Sequence, residues 1–191
     1  MVANLEIERR FLVDGREEKP WRINSKHSVI IQHYLPSDAL ELSEFTLSYG
    51  GKEVLRLSKE EQACWMNHTS WTTRLRHRDG VFILTCKAKV RVDAADELEW
   101  VLPNAVAASI LATGSFPFVQ KTRYEWTGGD GNVWEVDEFE GGLAGLVLAE
   151  VELEESDSPV LIPSWVGQEI TGLKSWSNAA LSRMLMSQVD D

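Results

Sequence analysis

The chain has 191 residues, of which 43% are hydrophobic and 26% are charged, and its formal net charge is −11. This length and composition are ordinary for one globular domain, so we expect residues 1–191 to form a single domain. The negative charge disfavours binding to nucleic acid or to anionic membrane surfaces. No stretch approaches the roughly 20 apolar residues that a membrane-spanning helix requires.

The N-terminus and the cysteines bear on where the protein works. Charged residues begin within five positions of Met1 and no apolar signal segment precedes them, which predicts a cytoplasmic protein. The two cysteines, Cys64 and Cys86, and the four histidines show no spacing that is typical of zinc sites. We therefore expect two reduced thiols and no zinc.

Most of the chain alternates between polar and apolar residues, as half-buried strands do, and turn signals separate many of these windows. The clearest turn is Asp79-Gly80, because glycine accepts the positive φ of a tight hairpin. The pattern predicts a mainly β chain. Its predicted strands are 3–13, 29–35, 45–49, 53–57, 71–78, 81–89, 97–102, 118–126, 132–139 and 146–154.

Three short segments predict helices. Residues 58–66 begin with Ser58 and Glu61 at the spacing of a capping box. The other two helices are predicted at 104–113 and at 178–188, the second with a serine as N-cap. We interpret 155–176 as a loop that wraps the fold, with its tryptophans as packing anchors.

Several strands carry charge on alternate positions, which places those charges on one face of each strand. Such a face could lie in water, as in a half-exposed antiparallel sheet. However, charges of one sign repeat along each strand, and the positions between them are often apolar. The repeated sets are Glu6, Glu8 and Arg10; Arg74, Arg76 and Arg78; Lys87 and Lys89; Glu97 and Glu99; Lys121 and Arg123; Glu135 and Asp137; Glu150, Glu152 and Glu154.

A closed barrel explains this arrangement if the apolar faces point outward, under helices and loops, and the charged faces line the lumen. So many enclosed charges need pairing, hydration and a complementary ligand. Arginine and lysine match phosphate oxygens, and carboxylates bind hard divalent cations such as Mg²⁺ or Mn²⁺, which in turn bridge phosphates. The sequence therefore predicts a lumen that binds a polyphosphate and a metal.

The same segments resemble those of a known family. "EIERRFLV" resembles the N-terminal ExExK signature of the CYTH domain, also called the triphosphate tunnel metalloenzymes. Further segments follow in the order of that family, and the resemblance covers nearly the whole chain apart from about 36–70. They are "IQHYL", "RLRHRDG", "LTCKAK", "ELEW", "QKTRYEW", "VWEVDEFEGGLAGLVLAEVELEE" and "WVGQEITGLKSWSNAALS".

The resemblance implies a closed eight-stranded antiparallel β-barrel with a few peripheral helices, and metal-dependent hydrolysis of inorganic triphosphate to phosphate and diphosphate. It implies a small-molecule triphosphate as partner, and we expect a monomer or homodimer that binds neither nucleic acid nor membrane. The implied metal ligands are Glu6, Glu8, Glu97, Glu99, Asp137, Glu150 and Glu152. The implied phosphate-binding residues are Arg10, Arg74, Arg76, Lys87, Lys121 and Arg123.

This chain departs from the signature at Arg10, which occupies the position of the family's lysine. The resemblance implies that residue 10 pairs with Tyr34 and acts in catalysis. A guanidinium stays charged, however, so Arg10 cannot act as a general base. Either a metal-bound water is activated without it, or the site binds triphosphate with little turnover.

Alternatives remain open at this stage. Adenylate cyclase and thiamine triphosphatase activities share the domain, a non-catalytic triphosphate or polyphosphate sensor fits Arg10, and a structural protein with solvated charges fits the alternation alone. The insertion at about 36–70 is expected to be a peripheral hairpin without a ligand role, or else a lid over one mouth of the barrel.

Overall fold

The computed structural model describes residues 4–36 and 38–187, and twelve strands lie among them. In chain order they are β1 (Asn4–Val13), β2 (Lys26–Leu35), β3 (Leu40–Ser43), β4 (Thr46–Tyr49), β5 (Lys52–Arg56), β6 (Thr72–Arg78), β7 (Val81–Lys89), β8 (Ala94–Leu102), β9 (Phe118–Thr127), β10 (Val133–Phe139), β11 (Val147–Leu153) and β12 (Val166–Glu169).

Eight of these strands form a closed antiparallel barrel. They are hydrogen-bonded in the order β11-β10-β9-β2-β6-β7-β8-β1, and β1 also pairs with β11, which closes the ring. The first half of β1 pairs with β8, and its second half pairs with the short strand β12. The expected closed eight-stranded antiparallel barrel is confirmed.

The ten predicted strands are all present, with shifted ends. β2 begins at Lys26 and β8 at Ala94, each three residues earlier than predicted, because pairing with neighbouring strands extends them beyond their alternating cores. Two strands of four residues each, β3 and β12, were missed. The predicted first position of β1, residue 3, lies outside the described residues.

Two hairpins have the tight turns that their glycines predicted. Asp79 and Gly80 have φ of 50° and 81°, and Gly50 and Gly51 have φ of 56° and 74°. Positive φ at both central positions gives a turn whose twist matches that of the flanking antiparallel strands. The first turn joins two barrel strands, and the second joins β4 to β5.

Three α-helices accompany the strands: α1 (Lys59–Met66), α2 (Asn104–Leu111) and α3 (Asn178–Ser187). Ser58 and Glu61 form the predicted capping box at the start of α1. The Ser177 hydroxyl accepts the N–H of Ala180, as expected of the N-cap of α3. The last predicted position of that helix, residue 188, is not among the described residues. None of the described helices is long and apolar enough to cross a membrane.

The hydrophobic core lies outside the barrel. Leu75, Leu84 and Leu98 point outward from β6, β7 and β8 and are at most 2% exposed. The three-stranded sheet β3-β4-β5, α1 and α2 cover them in one apolar cluster. The insertion therefore packs against the outer wall of the barrel, as expected of a peripheral hairpin.

A second cover lies over β1, β10 and β11. Phe11, Trp134 and Val151 point outward there, and Trp21 and Trp165 pack on them with ring centroids 4.9 Å apart from each other. Trp165 is thus a packing anchor, as predicted, and the wrapped segment that carries it also contains β12.

Helix α3 covers one end of the barrel. Leu181 packs against Leu148 and Phe139, which lie on the inward-facing side of their strands near that end. Val119 on β9 completes this apolar layer. The lumen therefore changes from charged to apolar as it approaches α3.

Leu47 tests whether the insertion is structural. It is fully buried in β4 against the outer wall, so Leu47→Ala should lower the free energy of unfolding by about 2–5 kcal/mol, the cost of a core cavity. Because the residue is remote from the lumen, binding of tripolyphosphate should not change. Denaturant unfolding and calorimetric titration measure the two quantities.

Val29→Ala is the matched control, since Val29 is 51% exposed and its truncation should change stability by less than about 0.5 kcal/mol. A folded Leu47→Ala protein with weakened tripolyphosphate binding would contradict the assignment of the insertion to the outer wall.

Candidate active site

The registers of neighbouring strands bring the charged faces together inside the barrel. Arg10 pairs with Glu150 across β1 and β11, Lys87 with Glu97 across β7 and β8, and Asp137 with Arg123 across β9 and β10. Because side chains alternate along a strand, each paired position points to the same side of the sheet. Cations and carboxylates therefore lie directly opposite one another across three of the eight seams of the barrel.

Arg10 lies between two carboxylates. Its Nε is 2.6 Å from Oε1 of Glu150, and its Nη2 donates to Oε1 of Glu8 at 3.0 Å. Burial alone would lower the pKa of Arg10, but the two carboxylates outweigh it and hold that pKa above its ordinary value. The guanidinium is therefore charged at every working pH. The preceding side chain, Arg9, points outward and forms a two-point contact with Glu169.

Tyr34 lines the same cavity as Arg10 but has a different partner. Its hydroxyl accepts a hydrogen bond of 2.6 Å from Nε2 of Gln32. Among the hydrogen bonds of the described residues, none joins Tyr34 to Arg10. Burial raises the pKa of Tyr34, so the hydroxyl keeps its proton and can donate it in a hydrogen bond.

Lys87 and Arg74 form a second group of cations. Lys87 contacts Glu6, and its Nζ is 2.8 Å from Oε2 of Glu97. Nη2 of Arg74 lies 3.8 Å from Glu97 and 3.7 Å from Glu99, beyond hydrogen-bond distance. Both cations thus have carboxylates nearby, but those of Arg74 do not saturate its donors.

Arg76 has weaker compensation still. Its closest carboxylate is Oε1 of Glu99, 3.9 Å from Nη1, and that oxygen already accepts the hydroxyl of Thr85. Burial and the neighbouring Arg74 and Arg123 lower the pKa of Arg76 to about 10. A buried guanidinium in this state gains from an added anion.

Lys121 and Arg123 both form ion pairs with Asp137. Both guanidinium contacts of Arg123 to Asp137 measure 2.6 Å, and Lys121 contacts the same carboxylate, which is 1% exposed. Burial lowers the pKa of Lys121 to about 8, with Arg123 acting in the same direction. Both oxygens of Asp137 therefore contact cations of β9.

Other carboxylates have acidic neighbours. Burial and the neighbouring Glu6 raise the pKa of Glu152 to about 7, and burial and Glu150 raise the pKa of Glu8. Carboxylates that crowd one another resist ionisation until a cation neutralises them. Their oxygen ligands and their mutual repulsion fit a hard divalent cation.

A cavity of about 440 Å³ opens from the lumen beside α3. Cations outnumber acids among its described lining residues, in a chain whose net charge is −11. Low-dielectric walls of one charge sign concentrate ligands of the opposite sign. The cationic lining comprises Arg10, Arg74, Lys87, Lys89, Arg91, Lys174 and Arg183, and the acidic lining comprises Glu6, Glu8 and Asp93.

The cavity gathers some of the expected site residues and not others. Glu6, Glu8, Arg10, Tyr34, Arg74 and Lys87 line it. Arg76, Lys121, Arg123, Glu97, Glu99, Asp137, Glu150 and Glu152 lie in the lumen on the same strand faces, but outside this lining.

Sequence reasoning missed several charged residues at the site. Lys174 and Arg183 reach the cavity from the segment around α3, where no alternation marks them. Lys89 and Arg91 come from the end of β7 and the turn after it. Two of these residues had a signal in the sequence, since Lys89 shares the alternation of Lys87 and Glu135, which contacts Arg123, shares that of Asp137.

Comparison with known proteins gives relatives for part of the chain. An inorganic triphosphatase of Acetivibrio thermocellus is 38% identical over 86 residues, which are 44% of this chain and 54% of that protein. An inorganic triphosphatase of Nitrosomonas europaea is 41% identical over 66 residues, 34% of this chain and 44% of that protein. The chain thus spans about half the length of the curated relatives it matches. No family model matches it.

Solved structures match over a greater length. A crystal structure of an inorganic triphosphatase is 25% identical, with a TM-score of 0.56 and coverage of 93% of each chain. A crystal structure of a Bacillus halodurans protein is 15% identical, with a TM-score of 0.55 and coverage of 82% of this chain and 84% of that one. The second likeness concerns the fold alone.

Glu152 gives the site a pH dependence in the absence of metal. Because its pKa is raised, its protonated form favours folding below the unfolded pKa of 4.5, and this stability is lost as the pH rises through about 7. In a chelating buffer, Glu152→Gln should therefore match the wild type near pH 4.5 and exceed its melting temperature near pH 8.

Thermal unfolding across that pH range measures the difference. Glu154→Gln is the matched control, since Glu154 is exposed beyond the end of β11 and should leave the profile unchanged. A Glu152→Gln profile parallel to that of the wild type from pH 4.5 to 8 would contradict the crowding of carboxylates.

Proposed function

We propose that this chain, as a member of the CYTH, or triphosphate tunnel, family, hydrolyses inorganic triphosphate to phosphate and diphosphate inside its barrel. The observation that carries the proposal is the cavity. A cation-rich lining in an acidic protein selects a small, highly charged anion, and the relatives that match are named inorganic triphosphatases.

The cations have distinct roles in this proposal. Arg74 and Lys87 line the cavity and keep N–H donors that the nearby carboxylates do not occupy. These donors bind phosphate oxygens of the substrate. Arg76, which lacks a close carboxylate, stabilises the charge that the transferred phosphoryl group spreads over its oxygens. Lys121 and Arg123 are already paired with Asp137. They therefore stabilise the wall of the lumen and do not bind the substrate.

The acidic residues fit Mg²⁺ or Mn²⁺. Glu6, Glu8, Glu150 and Glu152 offer carboxylate oxygens from the adjacent strands β1 and β11, and burial together with acidic neighbours raises the pKa values of Glu8 and Glu152. When bound, a divalent cation of this kind neutralises phosphate charge and lowers the pKa of water. Glu97 and Glu99 orient Lys87 and Arg74 beside this group.

Arg10 binds phosphate and does not accept a proton. Its guanidinium is permanently charged, and its fork can contact two phosphate oxygens at once. Tyr34, whose hydroxyl stays protonated, can donate a hydrogen bond into the same cavity. Residue 10 therefore positions the substrate and stabilises negative charge, and the proton of the attacking water leaves by another route.

The lining favours an inorganic substrate over a nucleotide. Tyr34 is the one aromatic residue among the described lining residues, and burial leaves little of its ring for stacking on a base. This disfavours adenylate cyclase and thiamine triphosphatase activities, both of which need a ring to be bound. Tripolyphosphate carries the same charges without one.

A second function follows from Arg10. If the proton of the water cannot leave without a base at residue 10, the cavity binds triphosphate without turnover and the protein is a sensor. Arg10, held between Glu8 and Glu150, is the observation that favours this alternative.

We further propose that the protein acts in the cytoplasm on this small molecule, as a monomer or homodimer, without nucleic acid or membrane. The two free cysteines, Cys64 and Cys86, agree with a reducing compartment.

Release of phosphate from tripolyphosphate tests the proposed activity. The wild-type protein should release phosphate with Mg²⁺ or Mn²⁺ and not in a chelating buffer, and ATP should be a poorer substrate. Glu8→Gln removes one carboxylate charge and should lower kcat by about 10²-fold or more, the scale of losing one preorganised electrostatic contact. A colorimetric phosphate assay and detection of cyclic AMP measure the products.

Glu41→Gln is the control for this substitution, because Glu41 is exposed on β3, outside the barrel. Its kcat should equal that of the wild type. Tight binding of tripolyphosphate with no release of phosphate would exclude hydrolysis and leave the sensor function, whereas formation of cyclic AMP from ATP would replace the proposed reaction.

Arg10→Lys tests the role of the guanidinium. A lysine at this position can lose its proton, so the variant should acquire a pH-dependent limb in kcat that the wild type lacks, with the rate changing as that lysine titrates. At neutral pH, KM for tripolyphosphate should rise, because a single ammonium replaces a two-point contact.

The control is Arg9→Lys, at the neighbouring position that faces outward, which should change neither kcat nor KM. The same pH profile in the wild type and in Arg10→Lys, with unchanged KM, would mean that residue 10 does not contact the substrate.

A further inference from the structure

Three different metal-binding side chains meet outside the barrel. Cys64 lies near the end of α1, His68 lies in the turn that follows, and Asp96 lies on β8. One ligand atom from each, the thiol sulfur, a ring nitrogen and a carboxylate oxygen, lies within 4.8 Å of the other two. Nε2 of His68 is 2.6 Å from Oδ2 of Asp96.

The fold holds these residues on separate, well-anchored elements. The capping box fixes the start of α1, and Glu61 accepts the indole N–H of Trp100 on β8, which ties the helix to the strand that carries Asp96. On β8 the side chains of Asp96 and Trp100 point outward, opposite to Glu97 and the lumen. The cluster therefore lies on the far side of the barrel wall from the candidate active site.

The surroundings are apolar on one side and open on the other. Cys64 belongs to the outer hydrophobic cluster, and the ring of Trp71 meets that of His68 edge-on at 5.0 Å and stacks on Trp65 at 5.1 Å. The side chains of His68 and Asp96 remain 18% and 29% exposed. A ligand can therefore enter from solvent and be shielded from it on the protein side.

We propose that Cys64, His68 and Asp96 bind a zinc-class transition metal ion, with a water molecule as the fourth ligand. Thiolate, imidazole and carboxylate are the ligand types that Zn²⁺ accepts. Bond lengths of 2.0–2.3 Å imply ligand atoms roughly 3.3–3.8 Å apart around a tetrahedral ion. His68 and Asp96 need to separate by less than about 1 Å to reach that geometry.

Without metal, the same residues form a hydrogen-bonded His-Asp pair beside a thiol. Burial and the carboxylate of Asp96 raise the pKa of Cys64, so the thiol is protonated in that state. Metal binding must displace this proton, because the thiolate is the ligand.

The ion would join α1 to β8 and so fasten the insertion at 36–70 to the barrel wall. This consequence is independent of the proposed hydrolysis, since no lumen residue belongs to the cluster. Metal binding should raise the melting temperature of the full chain by linkage, because a preformed site is absent from the unfolded state.

Cobalt titration tests the site. Co²⁺ bound through a thiolate has a charge-transfer absorption in the near ultraviolet, whereas Co²⁺ bound by the oxygen ligands of the lumen has none. The reduced full-length protein should develop this absorption with one equivalent of Co²⁺ and lose it when Zn²⁺ is added. Cys64→Ala should abolish the absorption, and Cys86→Ala, which removes the other buried thiol, should retain it.

His68→Gln provides a second variant, since His68 is partly exposed and its replacement should leave the fold intact. It should weaken Zn²⁺ binding by about ten-fold or more, because even residues that merely support metal ligands contribute that much. Absence of the absorption in the wild-type protein would overturn the proposal. An absorption that survives Cys64→Ala but is lost in Cys86→Ala would overturn it as well.

Discussion

The structure depends on the neutralisation of charge inside a closed barrel. A charge without a partner is costly in a low-dielectric interior, and removing one member of a buried pair costs more than the pair contributed. The strand registers solve most of this problem by placing Arg123 beside Asp137, Lys87 beside Glu97 and Arg10 beside Glu150. Compensation is incomplete at Arg76, which has no close carboxylate among the described residues, and at the more exposed Glu152, where the acidic neighbours Glu6 and Glu135 outweigh Lys87. An anion at the first and a cation at the second would complete it, so the requirement of stability and the requirement for a ligand coincide.

A charged lumen has a consequence for the rest of the fold. The apolar faces of the strands must then point outward, where they need a cover, and each peripheral segment supplies part of it. The insertion covers Leu75, Leu84 and Leu98, and the wrapped segment with Trp165 covers Trp134. The insertion and the wrapped segment thus supply the outer layer of the hydrophobic core, which the barrel strands alone cannot complete. Helix α3 differs, because it packs on inward-facing apolar residues and limits the lumen at one end.

Much of this architecture could be predicted from the sequence because both the apolar and the charged residues recur with a period of two. Apolar and charged positions alternate over seven or more residues in the barrel strands, so the strands, their faces and the lumen charges follow from the pattern alone. The four-residue strands β3 and β12 were not found in this way, although β4, which has the same length, was. Lys174 and Arg183 reach the cavity through the path of the chain around α3, which no local pattern encodes.

The different roles of the charged lumen residues could also be assigned only from the structure. From sequence, Lys121, Arg123 and Asp137 resemble the other charged residues of their strands, and only the contacts reveal that they neutralise one another. The same applies outside the barrel. A search for pairs of cysteine and histidine at zinc-finger spacing passes over Cys64 and His68, because their third partner, Asp96, lies on a different strand.

Arg10 lies between the acidic and the basic residues of the lumen. It contacts Glu8 and Glu150, from the carboxylate-rich strands, and it lines the cavity together with Arg74 and Lys87. A lysine there could change its charge with pH, but a guanidinium cannot, so the charge at this position stays constant while carboxylates such as Glu152 titrate near neutrality. Any pH dependence that the site shows near neutrality must therefore arise from groups other than residue 10. The replacement of lysine by arginine thus exchanges a titratable group for a fixed, two-point phosphate ligand at the junction between the acidic and basic sides of the lumen.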